Sequence, residues 1–225
     1  MINRELYMEQ ITPFIDKPFV KVITGIRRCG KSVVLRLIRE ELLRRGVSED
    51  YIIYMNFESF EWIDMKEAKA LYAHIREATK APGKYYILLD EIQEVTDWEK
   101  AVNAFLVDLD VDIYVTGSNS RLLSSEFSTY LAGRYVAFHI MTLSFREYLL
   151  FHDLPLTISV SDRKTEFLKY LRMGGFPAIH TANYDYNAIY KIVYDIYSSV
   201  ILRDTVQRHS IRNVEMLERV VKVCF

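Results

Sequence analysis

Residues 19–32, Phe19-Val20-Lys21-Val22-Ile23-Thr24-Gly25-Ile26-Arg27-Arg28-Cys29-Gly30-Lys31-Ser32, decide how this chain reads. Positions 25–32 match G-x-x-x-x-G-K-[ST], a phosphate-binding loop, and they lie where such a loop must lie. The apolar run 19–24 leads in, and a helix-period stretch, Val33-Val34-Leu35-Arg36-Leu37-Ile38, leads out. Strand, loop and helix in that order turn the pattern into a structural statement. The glycines let the backbone curl until successive N–H groups and a helix N-terminus face one anion. The expected ligand is a nucleoside triphosphate. Gly25, Ile26, Arg27, Arg28, Cys29, Gly30, Lys31, Ser32 and Val33 would surround its phosphates, with Lys31 on the β/γ-phosphates and the Ser32 hydroxyl on Mg²⁺.

Four more apolar runs follow, at 51–56, 85–90, 111–116 and 135–140. Between the third and fourth, Trp98, Ala101, Val102, Phe105 and Leu106 recur at i, i+3, i+4, i+7 and i+8, one face of a helix. Strands alternating with helices predict a mostly parallel sheet covered on both sides. This is an α/β fold of the P-loop NTPase type, with a five-stranded sheet.

The third run, Tyr85-Tyr86-Ile87-Leu88-Leu89, ends in Asp90-Glu91. Asp90 is placed to hold the Mg²⁺ through water. Glu91, directly after it, can polarise a water for in-line attack on the γ-phosphorus, which favours hydrolysis over transfer to a second substrate. The fourth run ends Val115-Thr116-Gly117-Ser118-Asn119-Ser120. In an additional-strand ATPase this strand lies between the loop strand and the Asp-Glu strand. A polar side chain at its tip, Asn119 by reach or else Ser118, would then touch both γ-phosphate and water. The alternative is a helix N-cap ahead of Arg121. Asn56, ending the second run, is a candidate to hold Glu91 away from the water. Arg134, just before the fifth run, could face a neighbouring subunit's γ-phosphate, and a surface role is the alternative. Cys29 sits beside Arg28 and a helix N-terminus, a setting that can lower a thiol pKa, although a small tolerated residue is the favoured reading.

The pattern changes after residue 141. Ser144 and Glu147 have the spacing of a capping box, with Leu143 and Tyr148 as its staple. Helices are predicted over 162–173, stopping at Gly174-Gly175-Phe176-Pro177, over roughly 185–203, and from near Asn213. Tyr186, Ile189, Tyr190, Val193, Tyr197, Val200 and Ile201 should share one face of the second of these. The expected organisation is a P-loop ATPase core at 1–141, a smaller all-helical lid at 142–205, and the start of a further helical region at 206–225. The apolar stripe Leu217, Val220, Val221 and Cys224 runs to Phe225 without a cap, which reads as a helix cut in mid-pattern.

With 225 residues, half of them hydrophobic and 26% charged, the composition is that of a globular protein, and the formal net charge of −1 lacks the basic excess of a nucleic-acid binder. Arg36, Arg39, Arg44 and Arg45 read as a solvated helix face. No apolar run nears the ~20 residues that span a bilayer, so no membrane partner is expected. Two distant cysteines suggest reduced thiols and a cytoplasmic location.

These landmarks resemble the prokaryotic AAA-type ATPases of the AAA-14 family. The resemblance rests on 23–32, Asn56-Phe57-Glu58, Leu89-Asp90-Glu91-Ile92-Gln93 with Trp98-Glu99, and Thr116-Gly117-Ser118-Asn119-Ser120. Leu131-Ala132-Gly133-Arg134, 143–148 and 174–177 continue it. It implies an additional-strand, AAA-like core with a helical lid, ATP and Mg²⁺ as ligands, and relatives acting in DNA transactions or signalling. Family members usually continue into a C-terminal domain of unknown function, through which a DNA or protein partner would bind. The leading expectation is Mg-dependent ATP binding and hydrolysis by a partner-regulated switch or motor, with a homo-oligomer as a candidate assembly. A DNA-remodelling ATPase is the first alternative and a P-loop kinase of a small molecule the second. The absence of an Asn-Lys-x-Asp base-reading motif favours ATP over GTP. Arg163 and Arg172 are both candidates for the lid's sensor arginine.

Overall fold

A computed structural model describes residues 3–118, 131–157, 159–182 and 184–198, together with 206, 213, 215–217 and 219. The chain divides into two compact units, Met1–Glu147 and Tyr148–Phe225.

In the first unit five parallel strands form one sheet: β1 (Val20–Gly25), β2 (Ile52–Asn56), β3 (Tyr85–Asp90), β4 (Val111–Ser118) and β5 (Tyr135–His139). Their order is β2-β3-β4-β1-β5. The additional strand β4 thus separates the loop strand from the Asp-Glu strand, as expected. Strands β1 and β3 are buried along their whole length, so they read as continuous apolar runs rather than alternating ones.

Each face of the sheet has its own core. On one, α3 (Ala68–Ala78) and α4 (Trp98–Asp108) bring Leu71, Ile75, Trp98, Val102 and Phe105 onto Val20, Val22, Ile87, Leu89, Ile113 and Val115. On the other, α1 (Glu5–Ile11) and α2 (Lys31–Arg44) bring Tyr7, Ile11, Leu35, Ile38 and Leu42 onto Ile23, Leu88, Tyr114 and Phe138. Side chains alternate across a strand, so Val22 and Ile23, one residue apart, serve opposite cores. Near the amino ends of β1 and β4 a fully buried ion pair joins Lys21 to Asp112. It is closed by Tyr114 Oη (2.8 Å) and the Asp16 N–H (2.9 Å), both donating to Asp112 Oδ2. The arginines of α2 are a solvated face: Arg44 and Arg45 pair with Glu41 at 2.8 Å, and Arg39 pairs with Glu49.

Helix α5 (Phe145–Phe151) begins with the expected capping box. Ser144 N–H donates to Glu147 Oε2 at 2.8 Å, and Glu147 N–H returns to Ser144 Oγ at 3.3 Å. In the second unit, α6 (Val160–Met173) starts at Ser159, whose Oγ accepts from Asp162 N–H, and stops at Gly174 with φ +80°. Helix α7 (Tyr186–Ile196) is capped by Asp185. Its buried face is carried by Ile189 and Ile196, whereas Tyr186 and Tyr190, expected on that face, are exposed. Asn213 Oδ1 accepts from Met216 N–H, a cap at the expected place. Residues 199–203 and 220–225 lie outside the described residues, and so does the expected stripe at the chain end apart from Leu217.

Candidate functional site

The carboxyl tips of β1, β4 and β3 meet at one edge of the sheet, the edge where open α/β sheets place ligands. The phosphate loop leaves β1 there. Gly25 has φ +153°, and a Cβ on it would lie 2.3 Å from the Ile140 carbonyl oxygen and 2.7 Å from Cys29 Sγ. No other residue fits that position without moving the loop. Gly30, at φ +104°, forms the N-cap of α2, and its carbonyl accepts from Val33 and Val34 at 3.1 Å. The loop closes on itself through Cys29 N–H to the Ile26 carbonyl at 3.3 Å.

Within the loop the side chains divide by depth. Ile26, Arg27 and Arg28 are exposed, and Arg27 reaches Glu58 at 2.9 Å. Cys29 is fully buried, and burial pushes its thiol up, only partly opposed by Lys31 and Arg4, so it is not an activated thiol. Ser32 and Val33 are half-buried at the start of α2.

Lys31 is 3% exposed. Its Nζ lies 3.4 Å from the Ile26 carbonyl and 3.5 Å from Glu91 Oε1, both longer than a well-made charge-assisted bond. Asp90, wholly buried, accepts from Thr116 Oγ1 at one oxygen and from Tyr54 Oη at the other, the latter at 3.0 Å. Burial raises the Tyr54 hydroxyl pKa, with the Asp90 charge adding to it, so Tyr54 remains a donor. Thr116 Oγ1 also accepts from Glu91 N–H at 3.0 Å. Glu91 has φ +54°, a left-handed turn that brings its side chain back beside Lys31.

Lys31, Asp90 and Glu91 are therefore brought together. Ser32 follows Lys31 on the same helix turn. Asn119 lies outside the described residues; Ser118, the last residue of β4, is in register with Gly25. Asn56 is not on Glu91: its Oδ1 accepts from Glu58 N–H at 3.0 Å. Arg134 is at the opposite edge, where its carbonyl accepts from Val20 N–H at 2.9 Å and its guanidinium donates to Asn103 Oδ1 at 3.0 Å. Five residue steps along β1 take Val20 to Gly25, about 17 Å at ~3.3 Å per residue. Arg163 and Arg172 are both exposed on α6.

Tyr54 and Thr116 were not singled out from the sequence, although a hydroxyl inside a buried apolar strand is itself a signal, since it needs a partner. Arg4 was missed too. It is 2% exposed, pairs with Glu147, and donates to the carbonyls of Cys29 (3.0 Å) and Met141 (3.1 Å).

The residues fit a magnesium-bound triphosphate. A glycine is required where the loop turns, and the buried Lys31 ammonium has only the long contacts to Ile26 and Glu91 among the described residues. Carboxylate and hydroxyl oxygens, from Asp90 and Ser32, are the donors a hard cation takes.

Comparison with known proteins identifies the family and the fold. The sequence profile of the AAA-14 family, described as an AAA domain, matches residues 17–149. An uncharacterized protein of Haemophilus influenzae is 39% identical over 224 residues, 98% of this chain and 54% of that protein. One from Methanocaldococcus jannaschii is 34% identical over 223 residues, 97% of this chain and 48% of that protein. The chain thus spans about half the length of the curated relatives it matches. Among solved structures, AMPPCP-bound DnaA from Aquifex aeolicus has a TM-score of 0.50 at 15% identity, covering 87% of this chain and 61% of its own. The RuvB Holliday junction branch migration motor of Thermotoga maritima has a TM-score of 0.45 at 16% identity, covering 88% and 64%. The DnaA likeness bears on the fold alone. With its parallel sheet, its loop at the tip of β1 and its profile match over more than half its length, this chain belongs to the AAA domain family.

Proposed function

We propose that the chain binds ATP with Mg²⁺ and hydrolyses it to ADP and phosphate, as a partner-regulated switch or motor. The observation that carries this reading is the approach of Glu91 to Lys31, 3.5 Å apart and both buried, at the strand tips beside the phosphate loop. A cation and a carboxylate so placed suit the two needs of phosphoryl transfer to water, charge neutralisation and a base for the nucleophile.

The backbone N–H groups of 25–33 and the Lys31 ammonium would hold the β/γ-phosphates. Ser32 and Asp90 would hold the Mg²⁺, which neutralises the developing phosphate charge when bound. Thr116 and Tyr54 fix the Asp90 carboxylate in place from two sides. Glu91 would accept a proton from the attacking water. Asn119 would touch the γ-phosphate and that water. Arg134, about 17 Å along β1 from the loop, can reach a γ-phosphate only in a second copy, so full activity implies a homo-oligomer. Among the described residues no helix is long and apolar enough to cross a membrane, which suits the proposed cytoplasmic site of action.

Steady-state phosphate release from MgATP, measured over a range of protein concentrations, tests the reading, with Glu91→Gln as control. A rate per molecule that rises with concentration and vanishes in the variant is expected. Absence of release at every concentration, with or without added DNA, would overturn hydrolysis. Transfer of the γ-phosphate to anything but water would make the chain a kinase.

A further inference from the structure

Two groups of different kinds hold the Glu91 carboxylate. Lys31, 3.5 Å from Oε1, is a charge that an incoming triphosphate reclaims. Gln93 donates its side-chain Nε2 to Oε2 at 2.5 Å, and phosphate has no claim on it. The local chain explains the contact. The left-handed turn at Glu91 takes the backbone out of β3 into a 3₁₀ turn over Ile92–Glu94, closed by Glu94 N–H to the Glu91 carbonyl (3.1 Å) and Val95 N–H to that of Ile92 (2.9 Å). Gln93 is folded back over the residue two before it.

A carboxylate only accepts, so the donor end of the amide must face Glu91. This leaves Gln93 Oε1 buried and without a hydrogen-bond partner among the described residues. Asn56, at the tip of the neighbouring strand β2, is engaged with its own turn through Glu58 N–H and makes no hydrogen bond to Glu91 among the described residues. Among the described residues the charged groups beside Glu91 are Lys31 and the preceding Asp90, which is committed to Thr116 and Tyr54.

We infer that Gln93 is the positioning residue for Glu91, keeping its carboxylate at the tip of β3 when Lys31 transfers to the phosphates. This rests on the proposed hydrolysis by Glu91. Gln93 acts through Glu91 and need not touch ATP, so its loss should lower turnover and spare binding.

The test compares Gln93→Met, which keeps the volume and removes both polar atoms, with Glu91→Asp, which draws the carboxylate back from the amide, and with the double variant. Q93M should lower kcat about tenfold to a hundredfold, the usual effect of losing an orienting partner. KM and the Kd of a non-hydrolysable ATP analogue should stay within about twofold, since a residue acting only through Glu91 has no ground-state contact to lose. The double variant should be no slower than E91D alone, because the two residues act as one unit. In nucleotide-free protein, the Gln93 side-chain amide resonances, identified by their absence from Q93M, should shift in E91D. An unchanged kcat in Q93M, losses that multiply in the double variant, or amide resonances that do not move would each overturn the assignment. Wild-type protein that releases no phosphate, yet whose Gln93 resonances shift in E91D, would overturn hydrolysis and the positioning role together while leaving the contact standing. Active wild type with unimpaired Q93M would remove the Gln93 role alone.

Discussion

Removing the charge of Glu91 should move two observables in opposite directions. Lys31 and Glu91 are 3.5 Å apart, with side chains 3% and 9% exposed. A triphosphate must take Lys31 from Glu91 and bring its own negative charge beside the same carboxylate. At an effective dielectric of about 20 the direct attraction between the pair is 332/(20 × 3.5), about 5 kcal/mol. Desolvation of both groups offsets most of that gross figure, leaving about 1–2 kcal/mol net. Glu91→Gln removes this competition, so the Kd of a non-hydrolysable ATP analogue with Mg²⁺ should fall about 5–30-fold by calorimetry. Turnover in the same variant should drop at least ~10²-fold through loss of the base. A Lys31→Met background should shrink the gain in affinity to the part that comes from phosphate–carboxylate repulsion, because the competition itself needs both partners. Affinity that stays constant or weakens in Glu91→Gln would refute the idea that Glu91 restrains Lys31 in the free protein.

Gly25→Ala should lower the thermal midpoint and abolish nucleotide binding. The clash with the Ile140 carbonyl adds to a backbone penalty of about 1–3 kcal/mol, or ~2–4 °C for each kcal/mol in a chain of this size, and an unshifted midpoint would contradict it. Arg134→Ala should leave the analogue Kd unchanged while removing the rise of turnover with protein concentration, a loss of about 10³-fold or more; equal turnover in both proteins would return Arg134 to a surface role. In the second unit, His152 Nε2 and His180 Nδ1 lie 3.0 Å apart, and His180 Nε2 is 2.8 Å from the Gly174 carbonyl. Burial holds both rings below the usual imidazole range, and the remaining charges on His152 are Glu166, Lys169 and Asp153. The unfolded chain then binds more protons than the folded one below pH ~6.5, so this stabilisation is complete above that value and is lost as pH falls through it. The urea midpoint should decline from pH ~7.5 to ~5.5, and His152→Gln should flatten the decline. A flat wild-type profile would contradict the burial argument.

The fold was readable because its signals are local. A buried parallel strand is an apolar run with an abrupt polar end, and the runs at 85–90 and 19–24 became β3 and β1 with ends displaced by at most one residue. The capping box at Ser144 and the glycine stop at Gly174 were legible for the same reason. Lys31, Asp90 and Glu91 were legible as well, since a motif states which residue types must meet. Their partners were not. Thr116 meets Asp90 across 26 positions and Tyr54 meets it across 36, through a register set by the whole sheet. Gln93 is only two residues from Glu91, but its role depends on the left-handed turn at Glu91, a conformation glutamate does not advertise.

Arg4 shows how far such long-range closure extends. It precedes α1, in a stretch that carries no motif, yet it bridges a loop carbonyl, the Met141 carbonyl beyond β5, and the Glu147 carboxylate that caps α5. Its guanidinium offers donors in a planar fork, and three acceptors from separate parts of the first unit engage it. A lysine could hold one of them as a point charge but not all three in that geometry. The loop that would cradle the phosphates is thus held from behind at Cys29, the residue a Cβ on Gly25 would strike. Glycine at 25 and arginine at 4 solve one steric and electrostatic problem from opposite sides. Gly25 gives the backbone room to curl, and Arg4 holds Cys29 where that curl needs it.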